Sequence, residues 1–282
     1  MKLTKPSFEI LDQQCGLEGI YKQIEIAGRT CYKSEDKITE DSAKEFVDRM
    51  IKSGHGAMLE HGTVYLNIHW ENEIHEVFNN MFKFYNENPY SKIVRKITNA
   101  EDLCPDLFIS TNYRVLVEHN RFNDLKYLCE PTEYHEKRVS VKFICDTGVS
   151  HEFVRHRVFS FAQESTRYCD YTKDRFNREL TFIKPLWISN IPITDITEDE
   201  KVFLEYLKNV EDTYFFLRDS NWTPQEARAV LPKCVKTELV MTGFVSDWKH
   251  FFELRDAASA HPQAQELAHS LHETFIQRGL VE

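Results

Sequence analysis

Apolar residues recur at helical spacing over residues 39–54, where Ala43, Phe46, Val47, Met50 and Ile51 fall on one stripe. Thr39 stands at the expected cap, Glu40 and Asp41 fill the first turn, and Gly54 suits the stop. Over 63–69 the period changes to two: Val64, Leu66 and Ile68 alternate with Tyr65, Asn67 and His69, a strand pattern. Residues 140–145 alternate likewise, with Val141, Phe143 and Cys145 on one face. Helices are expected near 73–86, 113–128 and 198–218. Thr223-Pro224-Gln225-Glu226 is a capping box with proline at the first helical position, so a helix starts there and ends near Leu231, before Pro232. Residues 237–245 read as a buried strand. Ser246 is placed to cap a helix reaching about Ala258, and a last helix spans Pro262 to Gln277 and stops by Gly279. Helices and strands mix without a strict βαβ rhythm, which argues for an α+β fold rather than a doubly wound sheet.

The chain has 282 residues, 41% hydrophobic and 13% aromatic, enough apolar area for a real core. There is no internal repeat and no linker, so a single compact domain is expected over 1–282. Acidic residues outnumber basic ones, giving a formal net charge of −10, the wrong sign for a general nucleic-acid binder. Only 9 glycines occur, so glycine-rich phosphate loops are unexpected. No apolar run approaches the ~18 residues of a membrane span, and Met1-Lys2-Leu3-Thr4-Lys5-Pro6 lacks the pattern of a signal peptide. The 7 cysteines are odd in number and form no C-x-x-C pair, which fits buried thiols in a reducing cytoplasm better than disulfides or a zinc ribbon.

Against that acidic background, residues 146–168 read DTGVSHEFVRHRVFSFAQESTRY. Asp146, Thr147 or Ser150 can cap a helix carrying His151 to Arg157. Three arginines within thirteen residues, Arg155, Arg157 and Arg167, are costly to pack together unless anions sit among them. Guanidinium forks bind phosphate bidentately, so the segment suggests a site for a small phosphorylated ligand. The bland alternative is a solvated face paired with Glu152 and Glu164. Phe153, Val154, Val158, Phe159 and Phe161 are interleaved with the charges, so the segment cannot all lie in water.

Several named chemistries fail on the residues. His151-Glu152-Phe153-Val154-Arg155 lacks the second histidine of H-E-x-x-H, so no zinc site is expected, and no other metal is implied. There is no G-x-S-x-G elbow and no G-x-G-x-x-G or P-loop glycine pattern; Gly54-His55-Gly56 is the nearest approach.

Arg155-His156-Arg157, seven residues and then Ser165 match the R-H-R-x7-S signature of flavin-dependent thymidylate synthases, and the chain resembles that family in four further elements. Residues 53–61, SGHGAMLEH, resemble its G-H-x-x-x-x-E-H segment. Ala27-Gly28-Arg29-Thr30-Cys31-Tyr32 resembles A-x-R-x-[SC]-[FY]. Ala227-Arg228-Ala229-Val230-Leu231-Pro232 matches A-R-x-x-L-P, and Leu254-Arg255 with His261-Pro262-Gln263 resembles L-R…H-x-Q. Residues 70–138 carry no family signature and look like a variable insertion.

The resemblance implies methylation of deoxyuridine monophosphate (dUMP) at uracil C5 to deoxythymidine monophosphate (dTMP). It implies 5,10-methylenetetrahydrofolate as carbon donor, NADPH as reductant, FAD as carrier, and a homotetramer with shared active sites. Carried over position by position, Arg155, His156 and Arg157 contact FAD, with Arg155 also near the nucleotide. Residues Gln163, Glu164, Ser165, Thr166 and Arg167 form the nucleotide loop, with Arg167 for phosphate and Ser165 beside the base. Glu152, Arg228 and Arg255 complete the nucleotide set. Arg255 matches the arginine that promotes loss of the uracil N3 proton, and with Ser165 it makes up the catalytic pair. His55, Ala57 and Glu60 match positions near the flavin, and Ser246 and His250 are the candidates for its adenine end. The chain departs from the family in carrying Glu152 for Gln, Cys31 for Ser, Ala162-Gln163-Glu164 for Asn-Glu-x, and Phe244-Val245-Ser246 for Asn-x-Arg. Two rivals stand beside this expectation. One is a nucleotide- or RNA-binding module using the arginine–aromatic segment without catalysis. The other is a flavin-free synthase with Cys145 or Cys169 as nucleophile.

Overall fold

The computed structural model describes residues 1–69, 75–97, 105–188 and 196–282. Strands β1 (Lys2–Thr4) and β2 (Ser7–Leu11) lead into helices α1 (Gly16–Tyr32), α2 (Ser42–Lys52) and α3 (Gly56–Leu59). Then come β3 (Thr63–Ile68), α4 (His75–Glu87), β4 (Lys92–Lys96), β5 (Asp106–Asn112) and α5 (Tyr113–Glu118). The segment of the arginine motif supplies β6 (Arg138–Asp146), α6 (Thr147–Phe153) and β7 (Ser160–Gln163). The chain ends with β8 (Thr181–Ile183), α7 (Glu198–Asp219), α8 (Pro224–Ala227), β9 (Lys236–Phe244), α9 (Val245–Arg255) and α10 (Pro262–Gln277).

The main sheet is antiparallel in the order β2-β6-β9-β7, and a second antiparallel sheet runs β3-β5-β4. The fold is therefore α+β, as expected. The alternation in β6 sends Val141, Phe143 and Cys145 to one face, where they meet Phe153 of α6 and Trp248 and Phe251 of α9. The Phe143 and Phe153 rings lie 5.0 Å apart, and Phe153 and Phe251 a further 5.0 Å. The Trp248 indole N–H donates to the Val139 carbonyl at 3.1 Å, so its one polar atom is satisfied in the core. On the other face, Ala27, Ala162 and Val240 let α1 lie close over β7 and β9.

Helix positions shift from the sequence expectations where capping is concerned. The helix expected from residue 39 starts at Ser42; Thr39 does not cap it but donates its amide to the Ser42 hydroxyl at 2.9 Å. The helix expected over 113–128 breaks. Asn112 caps α5 by accepting from the Val115 amide, Asn120 takes the left-handed region at φ 52°, and a separate 3₁₀ turn follows at Phe122–Tyr127. The helix starting at Thr223 lasts one turn before passing into a 3₁₀ turn, Arg228–Val230. Ser246 does not cap α9: the cap is the Phe244 position, whose amide donates to the Asp247 carboxylate at 3.1 Å, and Ser246 lies in the first turn. The expected helix near 73–86 appears as α4, with residues 73 and 74 outside the described residues.

The arginine motif moves as well. Asp146 caps α6 by accepting from the Val149 amide at 2.7 Å, but the helix ends at Phe153, so Arg155, His156 and Arg157 lie in the turn beyond it rather than on the helix. The apolar positions explain this. Val149 and Phe153 hold helical spacing, whereas Phe159 and Phe161 are two apart and start the strand period of β7.

Candidate functional site

The turn after α6 packs against α9, and this contact assembles the first group of candidate residues. Arg255, in the last turn of α9, donates Nη1 to the Glu152 carboxylate at 2.6 Å and Nη2 to the Glu152 carbonyl at 2.8 Å. Its Nε donates to Nε2 of His156 at 3.0 Å. Nε2 of His156 therefore accepts, and the ring proton sits on Nδ1. Burial, the Arg255 cation and nearby His250 hold the His156 pKa down at about 4, so the ring is neutral at physiological pH. His156 rests on Phe251 at 5.1 Å, with the His250 ring 6.3 Å away. Glu152 is thus paired with Arg255, and not with the arginines of its own segment. Nor does Arg255 pair with Glu253 or Asp256, its neighbours in sequence.

Arg155, Arg157, Arg167 and Arg228 are exposed, and none of their guanidinium groups makes an ion pair or hydrogen bond among the described residues. Arg167 does lay its guanidinium over the Tyr168 ring at 5.3 Å. Exposed, unpaired guanidinium groups flanking a neutral histidine form a donor set suited to phosphate oxygens.

A second group gathers at the C-terminal end of α1. The Ser165 amide donates to the Cys31 carbonyl at 3.0 Å, and the Tyr32 and Tyr168 rings approach to 5.8 Å. The Tyr32 hydroxyl is 3.2 Å from Nδ1 of His55, the residue preceding α3. Ala57 is exposed on α3, and Glu60 pairs with Arg114 of the 70–138 segment. Three of the motifs separated in sequence therefore meet in one place. β7 links this group to the first, since Gln163 Nε2 donates to the Ser150 hydroxyl of α6 at 2.9 Å and to Thr237 at 3.1 Å. Thr166 lies half-buried in the same loop. Arg228 stands apart, with no polar contact to either group among the described residues.

Glu164 is 4% exposed and is held from below. It accepts from Lys236 Nζ at 2.7 Å and from the Tyr171 hydroxyl at 3.1 Å. Lys236 also reaches Glu238, which takes Lys33 at 2.8 Å and Lys142 at 2.6 Å as well. Burial alone would pull Lys236 down, but Glu164 and Glu238 outweigh it and raise its pKa. Sequence reasoning passed over these residues. Their signal was Lys236 and Glu238 at i and i+2 in an otherwise apolar strand, two charges on one face. It also passed over Gln263, whose amide donates to the Asp146 carboxylate at 2.8 Å and so braces the cap of α6.

The fit to FAD differs along its length. Arg155, His156 and Arg157 suit an anionic chain, while Nδ1 of His250, a candidate for the adenine end, already faces the Glu253 carboxylate at 3.2 Å. At the start of α9 the Ser246 amide is already donated to Glu136 at 3.0 Å, and Phe244 is buried with Lys92 and Arg138 over its ring. The 70–138 segment thus covers the α9 N-terminus, and Ser246 keeps only its hydroxyl for a ligand. The two thiols considered as nucleophiles are buried: Cys169 is pushed up to about 12 and Cys145 is raised too, so neither supplies a thiolate at neutral pH. No group of His, Cys, Asp and Glu able to hold a metal occurs among the described residues, nor does a helix long and apolar enough to cross a membrane.

Among curated relatives, the flavin-dependent thymidylate synthase of Pyrococcus furiosus is 30% identical over 137 residues, 48% of this chain and 52% of that protein. That of Geobacter sulfurreducens is 30% identical over 121 residues, 43% of this chain and 48% of the relative. The chain spans about half the length of these relatives. The probable flavin-dependent thymidylate synthase of Paramecium bursaria Chlorella virus 1 is 26% identical over 207 residues, 65% of this chain and 89% of that protein. A solved UMP/dUMP methylase, PolB from Streptomyces cacaoi bound with 5-Br dUMP, is similar at 16% identity and a TM-score of 0.44, covering 98% of this chain and 93% of that one. The family described as thymidylate synthase complementing protein matches over residues 133–278, which contain both the α6–α9 contact and the loop at Ser165, and the chain belongs to that family.

Proposed function

We propose that this protein is a flavin-dependent thymidylate synthase: it methylates dUMP at uracil C5 to give dTMP, using 5,10-methylenetetrahydrofolate, NADPH and FAD. The observation that carries this reading is the α6–α9 contact, where unpaired, exposed Arg155 and Arg157 flank a neutral His156 that is locked to Arg255. The full reading adds a cytoplasmic homotetramer, in which Arg228 meets the nucleotide set of another subunit.

Arg167 and Arg228 take the substrate phosphate, and the loop of Gln163, Glu164, Ser165 and Thr166 shapes the place of the sugar and base. Arg255 faces the uracil. Its fixed positive charge stabilises negative charge on the ring as the N3 proton leaves, and so raises the electron density at C5. Ser165 orients the base; its hydroxyl has no partnered base among the described residues and is not the nucleophile. Arg155, His156 and Arg157 hold the anionic part of FAD, with the Ser246 hydroxyl and His250 toward its adenine end, and His55, Ala57 and Glu60 lie near its ring. FAD, when bound, supplies the two-electron carrier between NADPH and the folate-derived carbon. The buried, protonated thiols of Cys145 and Cys169 speak against a flavin-free cysteine mechanism.

Flavin extraction from the purified protein tests the reading. Released FAD, and a flavin spectrum that changes on adding dUMP, support it. A protein that binds no flavin from solution and shows no dUMP-dependent change would overturn it.

A further inference from the structure

We infer that Glu152 is a positioning residue that acts through Arg255, rather than a direct ligand of the nucleotide. The inference rests on the proposed role of Arg255 and deepens it. Three acceptors surround the guanidinium: the Glu152 carboxylate at 2.6 Å, the Glu152 carbonyl at 2.8 Å and the His156 lone pair at 3.0 Å. Two of the three belong to one residue. The carbonyl contact exists because α6 stops at Phe153, which leaves the Glu152 carbonyl close to the helix end, where carbonyls lack full intrahelical partners. Of the five guanidinium N–H groups, three are committed, and one on each terminal nitrogen is left for a ligand.

A carboxylate facing an incoming phosphate would repel it. Paired with Arg255 at 2.6 Å, the Glu152 charge is balanced locally. The pair is sheltered, with side-chain exposures of 17% for Arg255 and 33% for Glu152, so it fixes geometry better than a surface pair would. Arg255 thus arrives at the substrate already oriented, and ordering it costs nothing at the moment of reaction.

The experiment is a set of variants read by release of tritium from dUMP labelled at C5, with all cofactors present. In Glu152→Ala, kcat falls by about 10²-fold, as a misplaced catalytic group implies, while KM for dUMP changes by less than about threefold. Glu152→Gln keeps an acceptor for Nη1 and recovers to within about tenfold of wild type. Adding Glu152→Ala to Arg255→Ala causes no further loss, because Glu152 then has nothing to act through. A second readout is independent of turnover. The Arg255 Nε–H resonance, protected in wild type and Glu152→Gln by the bond to His156, exchanges freely in Glu152→Ala. A wild-type protein that releases no tritium overturns the proposed function itself. An active wild type with an unimpaired Glu152→Ala, or with variants that raise KM and leave kcat alone, overturns the positioning role. So does further loss in the double variant.

Discussion

Replacing Glu238 with Gln removes the carboxylate on which Lys33, Lys142 and Lys236 converge, at 2.8, 2.6 and 2.7 Å. In the native protein three ammonium groups face three carboxylates, Glu35, Glu164 and Glu238. In the variant Lys236 keeps Glu164 at 2.7 Å, Lys33 keeps Glu35 at 2.9 Å, and Lys142 keeps only Glu35 at 3.7 Å. Breaking a buried ion pair from one side costs about 3–5 kcal/mol. The side chains here retain 9% exposure for Glu238 and 15–19% for the lysines, which favours the lower end, about 3 kcal/mol. Against a total stability of about 5–15 kcal/mol, that lowers the folded-to-unfolded ratio by about two powers of ten. Equilibrium urea unfolding reads it as a lower midpoint at unchanged slope. The lysines hold the Glu238 carboxyl well below the usual carboxylate range despite its burial. Its stabilisation is therefore full above the unfolded value of about 4.5 and is lost as pH falls below it, so the wild-type advantage over Glu238→Gln shrinks there. Adding Lys142→Met to Glu238→Gln restores about 1 kcal/mol by rebalancing the charges. A Glu238→Gln protein within about 0.5 kcal/mol of wild type at pH 7 would refute the reasoning.

Other outcomes follow from the same structure. Arg167→Ala leaves the thermal midpoint nearly unchanged, because the side chain is exposed and only overlies Tyr168, but raises KM for dUMP about 10- to 100-fold through loss of a charge-assisted bond; an unchanged KM removes Arg167 from the phosphate site. A Cβ at Gly28 would lie 2.3 Å from the Phe46 ring, itself 1% exposed, so Gly28→Ala costs about 1–3 kcal/mol by overpacking, and a midpoint equal to wild type would contradict that packing. His61 is fully buried and, through burial and the nearby Arg138 cation, held down at about 3. Unfolded His61 gains a proton near pH 6.5 and the folded ring does not, so stability drops as pH falls from 6.5, by about 1.4 kcal/mol per unit for each such histidine. His61→Gln shows a shallower acid slope between pH 6.5 and 5, and equal slopes would refute the assignment.

The α+β class and the faces of the main strands were legible because period is a local property. Val141, Phe143 and Cys145 had one side to be buried on, and the apolar run of β9 had length for a strand only. Caps were less legible, since several residues at each helix start can serve. At α9 Asp247 competes with Ser246, and the 70–138 segment intervenes through Glu136. The end of α6 is not legible locally because arginines tolerate a helix as well as a turn, and the deciding contact, His156 on Phe251, is ninety-five residues distant in sequence. In the candidate site the residue types were visible but their pairing was not. Glu152 sits three residues from Arg155, yet its partner is Arg255. That choice depends on α9 folding back across the sheet, which no local pattern encodes.

The most direct measurement is formation of dTMP by the purified, FAD-loaded protein supplied with dUMP, 5,10-methylenetetrahydrofolate and NADPH. Mass spectrometry should find dTMP carrying the folate-derived carbon, formed only when all components are present and slowed about 10³-fold in a folded Arg255→Ala protein. Flavin-loaded protein that consumes NADPH yet makes no dTMP, or an Arg255→Ala variant with full activity, would contradict the account.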